Sequence, residues 1–354
     1  MNNPFNPSFD YNNTSFISDN SVLNNVIESV HNTNSRWRTT FIMGMRGAGK
    51  TSLLTFLSKN LSKQPDVIQL MLSSTEELLD NVMAGIEREL PSSLKIKGVG
   101  VNVPGVSLNI DSKEKKSTFQ YDTEDLLRLA EHSGKTIVLL LDEVQNITPQ
   151  LRTLFSSYRS YRSLGLPIII IAAGLPSTVD SVINDKALTF LLRSNQVVLK
   201  PLDLTTIGSS YIRLFKNRGL SVQQAINMAD ASAGYPYMYQ LLGDYVWENA
   251  GNPIKDSDID DAILWAKVAL YRNVYMKVMT DLAPNARELV LAIRKYGGVD
   301  VTTKDLRESM DWTLNQVTTY KAVLNHWGIT EKTGYGLISF KMPYFNDFID
   351  QNYD

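Results

Sequence analysis

Five short apolar runs punctuate the first two hundred positions: Thr39–Met43, Val67–Leu72, Thr136–Leu141, Pro167–Gly174 and Val197–Leu199. Runs that are apolar throughout, such as Thr136–Leu141, predict strands buried on both faces of a parallel sheet. The segments between the runs carry helical spacing. Ser52–Leu61, for example, places Leu53, Leu54, Leu57 and Leu61 on one face. Alternating strands and helices predict an α/β domain with a mostly parallel sheet. Its ligand should bind beyond the carboxyl ends of the strands.

After position 200 the strands give way to amphipathic helices, predicted over Thr205–Arg218, Ser221–Ala233, Tyr237–Glu248 and Ser257–Met279. The last stretch changes again. Asn285–Arg294 predicts a helix. Thr302, with Asp305 three residues on, caps a second through Leu306–Met310. Thr313 and Gln316 cap a third that runs to Trp327 and ends at Gly328. Val317, Tyr320, Leu324 and Trp327 line one of its faces. Ile329–Thr333 and Leu337–Lys341 then flank a Gly334-Tyr335-Gly336 turn. Three helices followed by a hairpin describe a winged helix-turn-helix. The expected organisation is a lead-in and short helix (Leu23–Val30) over 1–36, an α/β core over 37–200, a helical lid over 201–280 and a winged helix-turn-helix over 281–354. Within the core, Ile96, Val99, Val101, Val103, Val106, Leu108 and Ile110 flank a Pro104-Gly105 turn. That spacing predicts a hairpin at about 95–116. It is either a surface excursion or a site for a protein or nucleic-acid partner.

The candidate chemistry follows the first strand. Gly44-Met45-Arg46-Gly47-Ala48-Gly49-Lys50-Thr51 fits G-x-x-x-x-G-K-[ST] without mismatch. Glycines keep side chains away from a phosphate chain, so that backbone N–H groups can surround it. Lys50 can place an ammonium on the β- and γ-phosphates, and the Thr51 hydroxyl can ligate Mg²⁺. Ser52 lies in the first turn of a helix whose positive end faces the anion. Asp142-Glu143 closes the Thr136–Leu141 run. There Asp142 can meet the Mg²⁺ shell and Glu143 can orient or deprotonate a water. The expected ligands are therefore ATP and Mg²⁺, with the Asn-, Ser- and Pro-rich lead-in laid against the base.

Composition narrows the rest. The 354 residues hold no cysteine, which excludes disulfides, thiol catalysis and thiolate metal sites. His31, His132 and His326 lack metal-ligand spacing and read as surface or packing residues. A net charge of -2 gives no global field for a polyanion. The opening residues lack the regions of a signal peptide, and no apolar run approaches a bilayer span. A cytoplasmic protein without membrane contact is expected.

With these features in place, the chain resembles the bacterial and archaeal AAA+ ATPases similar to the origin-recognition replication initiators. The resemblance covers nearly the whole chain. It rests on the phosphate loop, Asp142-Glu143, Ala173-Gly174-Leu175-Pro176 after the fourth run, the Gly234-Tyr235-Pro236 helix start and the C-terminal unit. It implies an ATP-dependent homo-oligomer in which Arg193 reaches a neighbouring subunit's γ-phosphate. Pro236 and Tyr237 would approach the nucleotide from the lid, and the winged helix would contact duplex DNA. Two departures stand out. The fourth strand's polar sensor position falls near Gly174, where Ser177 or Thr178 could substitute. Tyr237 stands where many relatives place an arginine. Together they imply slow hydrolysis, with ATP acting as an assembly switch. Residues 281–354 also hold slightly more acids than bases. That balance weakens phosphate neutralisation and leaves open a signalling or defence switch whose winged helix binds protein. A plain nucleotide-binding regulator is the third reading.

Overall fold

The computed structural model describes residues 2–7, 16–17, 20–90, 118–144 and 147–353. The hairpin expected at about 95–116 lies outside these residues. The first half alternates α1 (Asn20–His31), β1 (Thr39–Met43), α2 (Lys50–Leu61), β2 (Val67–Ser73), α3 (Leu78–Glu89), α4 (Phe119–His132), β3 (Thr136–Val144), α5 (Pro149–Ser163), β4 (Ile168–Gly174), α6 (Pro176–Ile183) and β5 (Asn195–Val198). All five apolar runs are strands. They form one parallel sheet in the order β2-β3-β4-β1-β5. β4 therefore separates β1 from β3, and their carboxyl ends lie along one edge of the domain. Every residue of β4 is buried, as its unbroken apolar run demands.

Each face of the sheet has its own core. Leu53, Leu54, Leu57 and Leu61 of α2 pack with Val26 and Val30 of α1 on Ile42, Val138 and Ile169. The other face packs Phe41, Leu139 and Ile170 against α3 to α6. Arg38 is buried at the edge, 1 % exposed. Its guanidinium donates to Ser29 O at 3.2 Å and to Ile168 O at 3.4 Å. The first of these lies in the last turn of α1, where carbonyls present partial negative charge. Burial, and then the nearby Arg162, push Arg38 down to about 10.

The lid comprises α7 (Leu204–Leu214), α8 (Val222–Ser232), α9 (Pro236–Asn249), α10 (Asp256–Leu270) and α11 (Met276–Asp281). Sequence spacing predicts one helix over Ser257–Met279. The structure interrupts it with a π turn at Tyr271–Tyr275. The extra residue in that turn accompanies buried aromatic packing. Tyr271 stacks near Tyr275, and Tyr275 meets Phe345 and Phe348 edge-on. The described lead-in is pinned by Phe5, which is 3 % exposed. Its ring lies 5.4–5.8 Å from those of Phe215, Tyr239 and Tyr211.

The C-terminal unit contains α12 (Pro284–Lys295), β6 (Val301–Thr302), α13 (Thr303–Met310), α14 (Leu314–His326), β7 (Thr330–Glu331), β8 (Leu337–Phe340) and α15 (Phe345–Asn352). The capping boxes at Thr302/Asp305 and Thr313/Gln316 form as their spacing predicts. β7 and β8 pair antiparallel, and β6 adds to the other side of β8. Spacing did not announce α15, which buries Phe345, Phe348 and Ile349. One hydrophobic core runs without a break from Ile207 in α7 to Ile349 in α15. Among the described residues no helix is long and apolar enough to cross a membrane.

Candidate functional site

The loop 44–49 leaves β1 and enters α2, with Gly49 at the helix N-cap in a left-handed conformation (φ 88°). Lys50 folds back over the loop. Its Nζ donates to Gly44 O at 2.8 Å and to Met45 O at 2.9 Å. Burial pulls the ammonium from an ordinary 10.5 down to about 8; Asp142 and Glu143 oppose that shift, and Arg46 adds to it. Asp142 stands at the end of β3, 9 % exposed, with one oxygen accepting the Glu143 N–H at 2.9 Å. Register shifts between Leu141 and Val144, and Glu143 takes φ 52°. That conformation is uncommon for a long side chain, and it leaves Glu143 exposed beside the buried aspartate.

Gly174 ends the intervening strand. A Cβ there would stand 2.6 Å from Val144 O. The close approach explains why no polar sensor side chain occupies this position. Ser177 and Thr178 do line the cleft one turn on. The Thr178 hydroxyl donates to Leu175 O at 2.9 Å.

The lid covers the loop from the other side. The buried Tyr235 hydroxyl donates to Arg46 O, and burial raises its pKa beyond the usual phenol range. Gly47 adopts φ 73° under Tyr235, with Tyr237 Cβ 3.1 Å from where its own Cβ would stand. Arg46 reaches across to Asp281 Oδ2 at 3.0 Å, and Lys277 takes Oδ1 of the same carboxylate at 2.8 Å. Arg46 Nε is buried without a hydrogen-bond partner. The C-terminal unit closes on the same region. Met45 Cβ lies 3.1 Å from a Cβ position on Gly328, and His326 Nδ1 sits 3.3 Å from Asp180 Oδ2 of α6.

Between core and lid lies a cleft of about 1720 Å³. The sequence-predicted residues Arg46, Gly47, Ala48, Gly49, Lys50, Thr51, Ser52, Asp142, Glu143, Pro236 and Tyr237 all border it. Gly44 contributes through the carbonyl that holds Lys50. Asn6, Pro7, Phe16 and Ile17 of the lead-in border it too. Arg193 does not. It lies exposed at the end of a short 3₁₀ turn (Thr189–Arg193) on the outer flank. Sequence reasoning missed Arg272, Asn273, Lys277 and Asp281, which line the cleft from the far end of the lid.

The cleft chemistry suits a polyanion that brings its own metal. Among the described residues no cluster of three or more His, Asp or Glu could cage a cation. Thr51 and Asp142 offer one hydroxyl and one carboxylate, the sparse protein set that Mg²⁺ accepts when phosphates and water complete its shell. The C-terminal unit, by contrast, spends much of its positive charge internally. Arg294 grips Asp350 with two bonds of 2.6 Å. Arg287 donates to the carbonyls of Met279, Thr280 and Leu282. Lys321 holds Thr303 Oγ1 at 3.0 Å and Gly336 O at 2.9 Å.

Residues 34–175 match the family described as an AAA domain, and residues 272–349 match one described as a domain of unknown function. Among curated proteins none matches this sequence. Several solved structures share the fold, among them two that cover most of this chain. A Walker-type ATPase of Pyrococcus abyssi superposes with a TM-score of 0.67 at 16 % identity, over 94 % of this chain and 96 % of that one. The ORC2 protein of Aeropyrum pernix, solved as ADPNP–ADP complexes, gives 0.63 at 13 % identity, over 93 % and 92 %.

Proposed function

We propose that this chain, whose residues 34–175 match an AAA domain and whose fold is shared with a Walker-type ATPase and an ORC2 protein, binds ATP with Mg²⁺, hydrolyses it slowly and uses the bound triphosphate as an assembly switch. The observation that carries this reading is the convergence of Lys50, Thr51, Asp142 and Glu143 on one cleft beneath the lid. Lys50 exchanges the carbonyls of Gly44 and Met45 for the β- and γ-phosphates. Backbone N–H groups of Gly47 to Thr51 and the start of α2 hold the rest of the chain. Thr51 and Asp142 would hold Mg²⁺, which would supply neutralising charge at the phosphates. Glu143 faces the exposed side of the cleft and orients the attacking water. Pro236 and Tyr237 meet the nucleotide from the lid. Arg193, exposed on the flank, reaches the γ-phosphate of a neighbouring copy in a homo-oligomer. Hydrolysis is slow because Gly174 leaves the end of β4 without a polar side chain toward the reacting phosphate.

The C-terminal unit, read as a winged helix, acts on duplex DNA through α14 and the β7–β8 turn. Asn315, Gln316, Thr318 and Thr319 are exposed on α14, and Tyr335 is fully exposed at the turn. A second reading, in which this unit binds a protein partner in a signalling switch, is favoured by the internal engagement of Arg287, Arg294 and Lys321.

The test is sizing of the purified protein with ATP, with ADP and as the Glu143→Gln variant, combined with gel shifts on duplex DNA at low and moderate salt. ATP-dependent assembly and a salt-sensitive shift are expected. Absence of a shift at low salt removes the DNA role and leaves the protein-partner reading. Failure of labelled ATP at millimolar levels to bind, or equal binding by Lys50→Ala, removes the nucleotide reading. Turnover of many per second without a partner contradicts slow hydrolysis.

A further inference from the structure

Resting on that nucleotide reading, we infer that Arg272 is the lid cation that senses the γ-phosphate, a role that Tyr237 at the start of α9 has no charge to perform. Lys50, whose ammonium reaches β- and γ-phosphates in such loops, lies on the carbonyls of Gly44 and Met45. Residues 44–47 therefore mark the terminal-phosphate end of the cleft.

A chain of contacts leads from that end to Arg272. Gly47 lies under Tyr237. The Tyr237 hydroxyl accepts a hydrogen bond from Asn273 Nδ2 at 2.9 Å. Asn273 Oδ1 in turn accepts from Arg272 Nε at 3.2 Å. The guanidinium is thus tethered beside the residue that bonds to Tyr237, and it borders the cleft.

The backbone supports the assignment. Residues from Trp265 in α10 to Asp281 in α11, Arg272 and Asn273 among them, line the cleft. The π turn at Tyr271–Tyr275 falls in the middle of that series. Such turns are frequent at functional sites. Arg272, Asn273 and Val274 of this turn all border the cleft.

Charge pairing separates Arg272 from its neighbours. Arg46 and Lys277 share the carboxylate of Asp281. Among the described residues Arg272 forms no salt bridge. A phosphate can take its two terminal nitrogens in a forked contact without breaking an existing ion pair. ADP presents no group at that point, so Arg272 discriminates between the two nucleotides.

The test is titration of fluorescent ATP and ADP analogues into the wild type, Arg272→Ala and Arg272→Lys, with single-turnover hydrolysis alongside. Loss of one charge-assisted contact lowers ATP affinity by about tenfold to a hundredfold. ADP affinity should stay within about twofold, with partial rescue by lysine, which keeps the charge but loses the fork. A purely structural role would lower both affinities together. Equal loss for ATP and ADP, or no loss for either, overturns the assignment while leaving the nucleotide reading intact. A wild-type protein that binds neither nucleotide overturns both.

Discussion

On the proposed nucleotide reading, the depressed Lys50 ammonium should make ATP binding pH-sensitive in an unusual range. In the folded chain without nucleotide, burial lowers this group from 10.5 to about 8. Only the protonated form pairs with phosphate, and a bound polyanion restores the ordinary high value. The protonated fraction with pKa about 8 falls from about three quarters at about pH 7.5 to about one eleventh at about pH 9. Apparent ATP affinity should therefore drop about eightfold across that interval. The nucleotide's own last phosphate proton leaves near about pH 6, below the window. Stability of the nucleotide-free chain runs the other way. Between about 8 and 10.5 the unfolded chain binds the proton more tightly than the folded one, so stability rises with pH there. Isothermal titration in buffers matched for ionic strength measures the affinity, and urea denaturation measures the stability. Lys50→Arg supplies the control, because a guanidinium keeps its charge throughout. Affinity that stays flat over the interval refutes the reasoning, as does an equal slope for the arginine variant.

Three further outcomes follow from the geometry. Glu143→Gln should bind ATP like the wild type and lose turnover by on the order of 10²–10⁴, as read by phosphate release. Gly174→Ala places a Cβ 2.6 Å from Val144 O. It should destabilise the fold by about 1–3 kcal/mol in urea titrations and lower turnover by shifting the acid pair. Arg38→Met strips donors from the buried carbonyls of Ser29 and Ile168. It should cost about 1–3 kcal/mol in the same assay.

The sheet was legible in the sequence because a doubly buried strand leaves an unbroken apolar run, and Ile168–Ala173 leaves little else to read. The loop and acid pair were legible because phosphate chemistry restricts residue types at fixed spacing. Capping boxes at Thr302 and Thr313 were legible for the same local reason. What escaped was long-range. Arg46 and Asp281 lie 235 positions apart, and no periodicity connects them. Phe5 sits alone among asparagines and prolines, so nothing local marks it as part of a core. The π turn depends on Tyr275 finding Phe345 and Phe348, a contact between segments far apart in the chain. The left-handed backbone of Glu143 reflects a register shift against β4, which exists only once the sheet is assembled.

The unbroken apolar core from Ile207 to Ile349 has a mechanical consequence. Among the described residues the helices that cover the cleft and the C-terminal helices share side-chain packing. Interiors packed to this density deform little. The end of α14 also meets the α/β core through His326 and Asp180 of α6, so a tilt of the cover would shift that contact as well. Occupancy of the cleft and presentation of the C-terminal surface would then be linked, and a substitution deep in the C-terminal helices would alter how tightly the cleft closes.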